Sequence, residues 1–159
     1  MSPASTKYRS SNPENAPSLD PNTAGELPID TSLTTAFLES LAAHKLTLRL
    51  FSGSWETFDL ALSGGPYNLV MTSETIYRME SVPSLLAVLQ ASCGYGTTTR
   101  ACHMPCLCLV AAKVLYFGVG GGVADFVRAV EDVKGNLETV WEHKTGVGRR
   151  IMRVVWGDE

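Results

Sequence analysis

From residue 30 onward, apolar side chains alternate between helical and extended spacing. Leu33, Phe37 and Leu41 follow Asp30 and Thr31 at i, i+4 and i+8. Either polar residue suits a helix start, so a helix is predicted from about Asp30 to His44. Thr47 to Phe51 (TLRLF) alternates and predicts a strand, broken by Ser52-Gly53-Ser54. Gly64-Gly65-Pro66 predicts a turn, and Asn68 to Thr72 (NLVMT) a short, mostly apolar strand. Ser81 then caps a helix with Pro83 near its first turn and Val82, Leu85, Leu86 and Leu89 on its apolar face. Cys93 to Pro105 has turn residues and no period, the pattern of a loop. Leu107 to Phe117 is continuously apolar apart from Lys113, which predicts a strand covered on both faces. The glycines between 118 and 122 make a loop, and Val123, Phe126, Val127 and Val130 mark another helix. Leu137 to Trp141 and Arg150 to Trp156 predict two closing strands around a turn at Gly146 and Gly148. The order implies an α/β fold: a largely parallel sheet with helices on both faces.

Residues 1–28 break this pattern. They hold five of the eight prolines, with serine and asparagine between them and few apolar side chains. Such a segment buries too little surface to offset its ordering entropy, so a disordered tail is expected. The chain has 159 residues, enough for one core. A formal net charge of -3 argues against a protein built to coat nucleic acid or an anionic membrane. The first residues lack the basic, apolar, small-residue order of a signal peptide. The four cysteines are therefore expected to be reduced, in the cytoplasm or nucleus. The longest apolar run, Cys106 to Ala124, is interrupted by Lys113 and four glycines, so a buried strand and loop is expected there and no membrane span.

Ligands of open parallel sheets bind beyond the carboxyl ends of the strands, and three segments fall there. In Ser52-Gly53-Ser54-Trp55, Gly53 would let a ligand approach the backbone and Trp55 offers an apolar face; a plain turn with a packed tryptophan is the alternative. Thr72-Ser73-Glu74-Thr75-Ile76-Tyr77 gathers hydroxyls and a carboxylate behind a strand, for a ligand or for helix capping by Ser73 or Thr75. Tyr116 to Val123 (YFGVGGGV) does not have the glycine spacing or the Lys-Ser/Thr of a phosphate loop, and reads as a close-packed loop covering a site. Cys102, His103, Cys106 and Cys108 sit at tight spacing, as zinc ligands or as buried thiols. Cys106 and Cys108 fall on a predicted strand and no second ligand pair exists, so no metal is expected. The histidines, His44, His103 and His143, are scattered and complete no hydrolase motif.

Three of these stretches, in this order and spacing, resemble one family. Leu50 to Trp55 (LFSGSW), Tyr67 to Tyr77 (YNLVMTSETIY) and Ala111 to Val123 (AAKVLYFGVGGGV) resemble the C-terminal half of histidine protein methyltransferases, and the resemblance covers about Asp30 to Trp156. It implies a Rossmann-like, seven-strand (class I) methyltransferase sheet, mostly parallel with an antiparallel terminal strand. The sheet would be incomplete, because the family's first two strands and glycine-rich loop should precede residue 30. The expected organisation is a tail over 1–28 and a partial methyltransferase domain over 30–156, with an insertion at 93–105. The implied cofactor is S-adenosyl-L-methionine, with Gly53, Ser54, Trp55, Thr72 and Ser73 where the family contacts it. The implied reaction is attack of a neutral imidazole nitrogen on the sulfonium methyl, with a large-subunit ribosomal protein as substrate, and neither nucleic acid nor membrane as partner. Glu74, directly after the strand beside the methyl donor, is the candidate to hold or deprotonate the target imidazole. The missing glycine-rich loop leaves one alternative: a non-catalytic remnant that acts at most as a protein-interaction module.

Overall fold

The computed structural model describes residues 28–95, 106–116 and 121–157. The chain divides into two compact units, Met1–Leu50 and Phe51–Glu159. In the first, helix α1 (Thr31–Ala43) starts as expected, with the Asp30 carboxylate accepting the Leu33 N–H at 2.8 Å. Ala36 is buried, while Phe37 is exposed. All but the last residue of the expected tail lies outside the described residues, as does most of the expected 93–105 insertion.

The strand expected at Thr47 to Phe51 does not form. All five residues are exposed and no described strand pairs with them. Alternation marks the two faces a strand would have; it does not supply the neighbour whose backbone completes the ladder.

The second unit opens with a 3-10 turn (Trp55–Thr57) and a short helix α2 (Leu60–Ser63). Strand β1 (Leu69–Ser73) follows, then α3 (Val82–Ser92), β2 (Leu107–Lys113), α4 (Val123–Asp132), β3 (Gly135–His143) and β4 (Arg149–Trp156). Across the sheet the order is β1-β2-β4-β3. β1 and β2 are parallel; β4 is antiparallel to both β2 and β3, with an irregularity between Thr139 and Trp141. The mixed α/β class is therefore as expected, and so are the strand directions: β1, β2 and β3 run the same way, and the last strand, β4, lies between β2 and β3 and runs against them. The helical crossover makes the parallel pair, and the tight turn near Gly146 forces the last two strands to be antiparallel.

Coverage of the sheet also differs from expectation. Val82, Leu85, Leu86 and Leu89 of α3 and Val123, Phe126 and Val130 of α4 share one core with Cys108, Val110 and Ala112 of β2 and Met152 and Val154 of β4. Both helices thus lie on the same face. β2 alternates buried with partly or fully exposed residues instead of being buried throughout, because α3 and α4 both pack on the face that carries Cys108, Val110 and Ala112. Ser81 does not cap α3 through its side chain; its hydroxyl donates to the Arg78 carbonyl at 3.0 Å.

On the other face, Leu69, Met71 and Leu107 are exposed. Leu69 is registered with Leu107 and Met71 with Leu109, so these side chains form a contiguous apolar strip at the β1 edge. Exposed apolar edge strands pair with other chains. Met71→Lys, at a side chain 69% exposed, is therefore expected to shift the protein toward monomer in sedimentation velocity. Stability should change by no more than about 0.5 kcal/mol. Unaltered association would show that the strip plays no part in it. Among the described residues no helix is long and apolar enough to cross a membrane.

Candidate active site

The carboxyl ends of β1 and β2 lie side by side, with Ser73 registered against Ala111. Beyond that pair the Glu74 N–H still donates to the Ala111 carbonyl at 2.9 Å. Glu74 then turns the chain with a left-handed backbone, φ 58°. That conformation costs a non-glycine residue about 1–2 kcal/mol, so the surrounding contacts must hold it. Several are visible. The Tyr116 hydroxyl donates to Glu74 Oε2 at 3.1 Å, and Lys113 Nζ stands 3.7 Å from the same oxygen. The Tyr116 oxygen in turn accepts the backbone N–H of Lys113 at 3.1 Å, which ties the carboxylate to the end of β2. Burial, together with the Glu74 carboxylate, raises the Tyr116 pKa above that of an ordinary phenol, against the opposing pull of the Lys113 N–H. Tyr116 is therefore a protonated donor at neutral pH. The Glu74 side chain is 42% exposed, so one side of the carboxylate is open to an incoming group.

The neighbouring segment packs this turn from behind. Ile76 is fully buried, and the Thr72 and Thr75 hydroxyls are hydrogen-bonded to each other at 2.7 Å. The Tyr77 and Tyr116 rings are tilted with centroids 6.2 Å apart, and the Arg78 guanidinium lies over Tyr77. Gly121 approaches so closely that an added Cβ would meet the Tyr77 carbonyl oxygen at 2.9 Å, which only glycine avoids. Of the glycine loop expected to cover the site, residues 117–120 lie outside the described residues.

Glu74, Thr72 and Ser73 thus stand at a strand end, as the sequence implied. Ser73 and Thr75 cap no helix. Gly53, Ser54 and Trp55 fall elsewhere. Trp55, with Phe58 and Leu60, lines a cavity of about 330 Å³ against Ser84, Ala87, Val88 and Ala91 of α3, and none of Thr72, Ser73 or Glu74 borders it. Ser54 Oγ accepts the Glu56 N–H and so caps the 3-10 turn. Gly53 has φ 144°, and only Thr57 Oγ1, at 3.5 Å, would touch an added Cβ, so its backbone is open on that side. From sequence alone Lys113 carries no chemical role, and Tyr116 enters only as the start of the covering loop. The available signal is their position: Lys113 is the last residue of β2 and Tyr116 follows it, at the same end of the sheet as Glu74.

No family model matches the chain. Among curated proteins it is 30% identical over 112 residues to Histidine protein methyltransferase 1 of Saccharomyces cerevisiae, covering 67% of the chain and 28% of that protein. It is 32% identical over 143 residues to Histidine protein methyltransferase 1 of Schizosaccharomyces pombe, covering 85% and 38%. It is 41% identical over 103 residues to the Histidine protein methyltransferase 1 homolog of Rattus norvegicus, covering 62% and 26%. This chain belongs to the histidine protein methyltransferase family. The matches span 26% to 38% of the length of these family members.

A methyltransferase of this kind needs a nucleoside methyl donor, and the described residues do not complete a cradle for one. The aromatic wall at Trp55 and the hydroxyls at Thr72 and Ser73 border different spaces, and the Thr72 hydroxyl is committed to Thr75. Nor do the described residues contain a cluster of three or more histidine, cysteine or acidic side chains suited to a metal ion. Cys102 and His103 lie outside the described residues.

Proposed function

We propose that this chain contributes the imidazole-holding part of a protein-histidine N-methyltransferase that uses S-adenosyl-L-methionine as methyl donor and a protein, of the large ribosomal subunit by resemblance, as acceptor. The observation that carries the reading is the open Glu74 carboxylate, braced by Tyr116 and Lys113 at adjoining ends of two parallel strands, in a chain whose relatives are named histidine protein methyltransferases. A neutral imidazole has one N–H and one lone pair on separate nitrogens. A carboxylate that accepts the N–H fixes the tautomer and turns the other nitrogen, with its lone pair, away from itself. Glu74 performs this holding step and draws off the ring proton as the imidazole becomes cationic. Tyr116 keeps the carboxylate oriented. The Rossmann-like, seven-strand arrangement belongs to the same proposal, with β1, β2 and the β3–β4 hairpin as its later strands.

Two measurements test this. A full-length protein in which this chain is joined to a complete donor-binding half, incubated with S-adenosyl-L-methionine labelled on the methyl group and a large-subunit ribosomal protein fraction and then totally hydrolysed, should yield label in methylhistidine. Label confined to lysine or arginine would overturn the histidine assignment. Calorimetric titration of the chain with S-adenosylhomocysteine should give no saturable binding in the micromolar range, because the donor cradle is incomplete among these residues. Micromolar binding would show that residues outside the described set complete it.

A further inference from the structure

At the opposite end of the sheet three thiols come together. Cys93 is the residue that ends α3, Cys106 immediately precedes β2, and Cys108 is buried within β2. Cys93 Sγ and Cys106 Sγ are 2.9 Å apart, although the residues are 13 positions apart in the chain. Their closeness is imposed by the backbone on both sides. The Cys93 N–H is bonded to the carbonyls of Leu89 and Gln90, and the carbonyl of the preceding Ser92 accepts the Tyr67 N–H at 2.8 Å. The Leu107 N–H, next to Cys106, donates to the Asn68 carbonyl at 2.9 Å. The segment leading into β1 therefore pins both cysteines, one through each neighbour. A disulfide needs its sulfurs at about 2.0 Å, so closure requires a shift of about 1 Å in the side chains.

We propose that Cys93 and Cys106 are a thiol–disulfide modification site, closed by exchange with a small-molecule disulfide such as oxidised glutathione, which staples the end of α3 to the start of β2. Cys106 is the entry point. It is half-buried, whereas Cys108 is fully buried in the core between sheet and helices, where a mixed disulfide has no room. The Cys106 thiolate attacks one sulfur of oxidised glutathione and releases one glutathione thiolate. The Cys93 thiolate then attacks the Cys106 sulfur of the mixed disulfide and releases the second. Two protons pass from the protein thiols to the two glutathione thiolates, and two electrons pass from the protein sulfur pair to the glutathione disulfide.

The same surroundings set its pace. Burial and the adjacent Cys93 push the Cys106 thiol up to about 12. Hydrogen bonding to Cys108, together with burial, raises Cys93 further still, while the nearby Trp156 indole opposes this. The Trp156 Nε1 atom is buried without a hydrogen-bond partner among the described residues, and an ionised Cys93 sulfur would supply one. Exchange proceeds through thiolates, so closure should be slow at neutral pH and accelerate as the pH rises.

The test is to incubate the protein with oxidised glutathione, alkylate under denaturing conditions and map the peptides by mass spectrometry. The expected product is one intrachain link between Cys93 and Cys106, with Cys102 and Cys108 alkylated, reversed by dithiothreitol and formed equally in a Cys102→Ser variant. Four alkylatable thiols after prolonged oxidation at raised pH, a persistent glutathione adduct, or a link that includes Cys102 or Cys108 would overturn the proposal. The same incubation in concentrated urea should lose the selectivity. Retention of the Cys93–Cys106 preference in the unfolded chain would show that the fold does not create the site.

Discussion

Phe126→Ala is expected to lower the unfolding free energy by about 3–5 kcal/mol, a large fraction of the roughly 5–15 kcal/mol that holds an ordinary domain together. Phe126 is the largest of the fully buried side chains. It lies on α4 in one cluster with residues of α3, β2 and β4, so the cavity left by truncation would open where both helices meet the sheet. Because α3 and α4 share this one cluster with the sheet, truncation at Phe126 weakens the packing of both helices together. Urea denaturation should show a lower midpoint with an unchanged slope, the signature of lost stability without a changed denatured state. The comparison is Phe37→Ala on α1, where the ring is 48% exposed and the loss should stay within about 0.5 kcal/mol. Equal losses at the two positions would refute the core described above.

The difference between these two phenylalanines also separates what the sequence revealed from what it could not. Both fall on helical apolar stripes, and both helices form within a residue or two of their expected bounds. Periodicity records which side of an element is apolar. It does not record what, if anything, is packed there. For the same reason Val82 to Ser92 and Val123 to Asp132 were legible as helices, yet their placement on one face of the sheet was not, since that depends on the order β1-β2-β4-β3. Thr47 to Phe51 has a strand's alternation but joins none of the described strands of the sheet. The uninterrupted apolar run of β2 suggested burial on both faces, but Leu109 and Ala111 are only partly covered.

At the candidate site, position behind a strand was enough to single out Glu74, Thr72 and Ser73. It was not enough to find the hydroxyl of Tyr116, which reaches Glu74 across 42 residues of chain. Such a contact has no local spacing by which to recognise it. Trp55 illustrates the converse. The motif around it resembles the family's, yet its ring lines a cavity on α3 that Glu74 does not border. Motif identity located the segment, and packing decided which space it faces.

The sharpest separation of chemistry from architecture at Glu74 comes from two substitutions made in parallel. Glu74→Gln keeps the size of the side chain and an acceptor for the Tyr116 hydroxyl, but it removes the negative charge that would hold an imidazole N–H and take its proton. In a full-length protein that joins this chain to a complete donor-binding half, methyl transfer to histidine should fall about 100-fold or more, as when a general base is removed. Glu74→Gly has the opposite effect on the backbone. Glycine adopts φ near +60° without the steric penalty that glutamate bears there. Relief of about 1–2 kcal/mol is offset by the added chain entropy of glycine and by the lost contacts with Lys113 and Tyr116, the first of which is exposed and worth at most about 1 kcal/mol. The glycine variant should therefore melt within a few degrees of the unaltered protein, or slightly above it, while its transfer rate falls at least as far as that of the glutamine variant. A purely structural role predicts the reverse: glutamine would remain active, and glycine would lose stability and activity together. Transfer rates and melting midpoints measured on the same three proteins decide between them, and an active glutamine variant would end the case for Glu74 as the group that holds the imidazole.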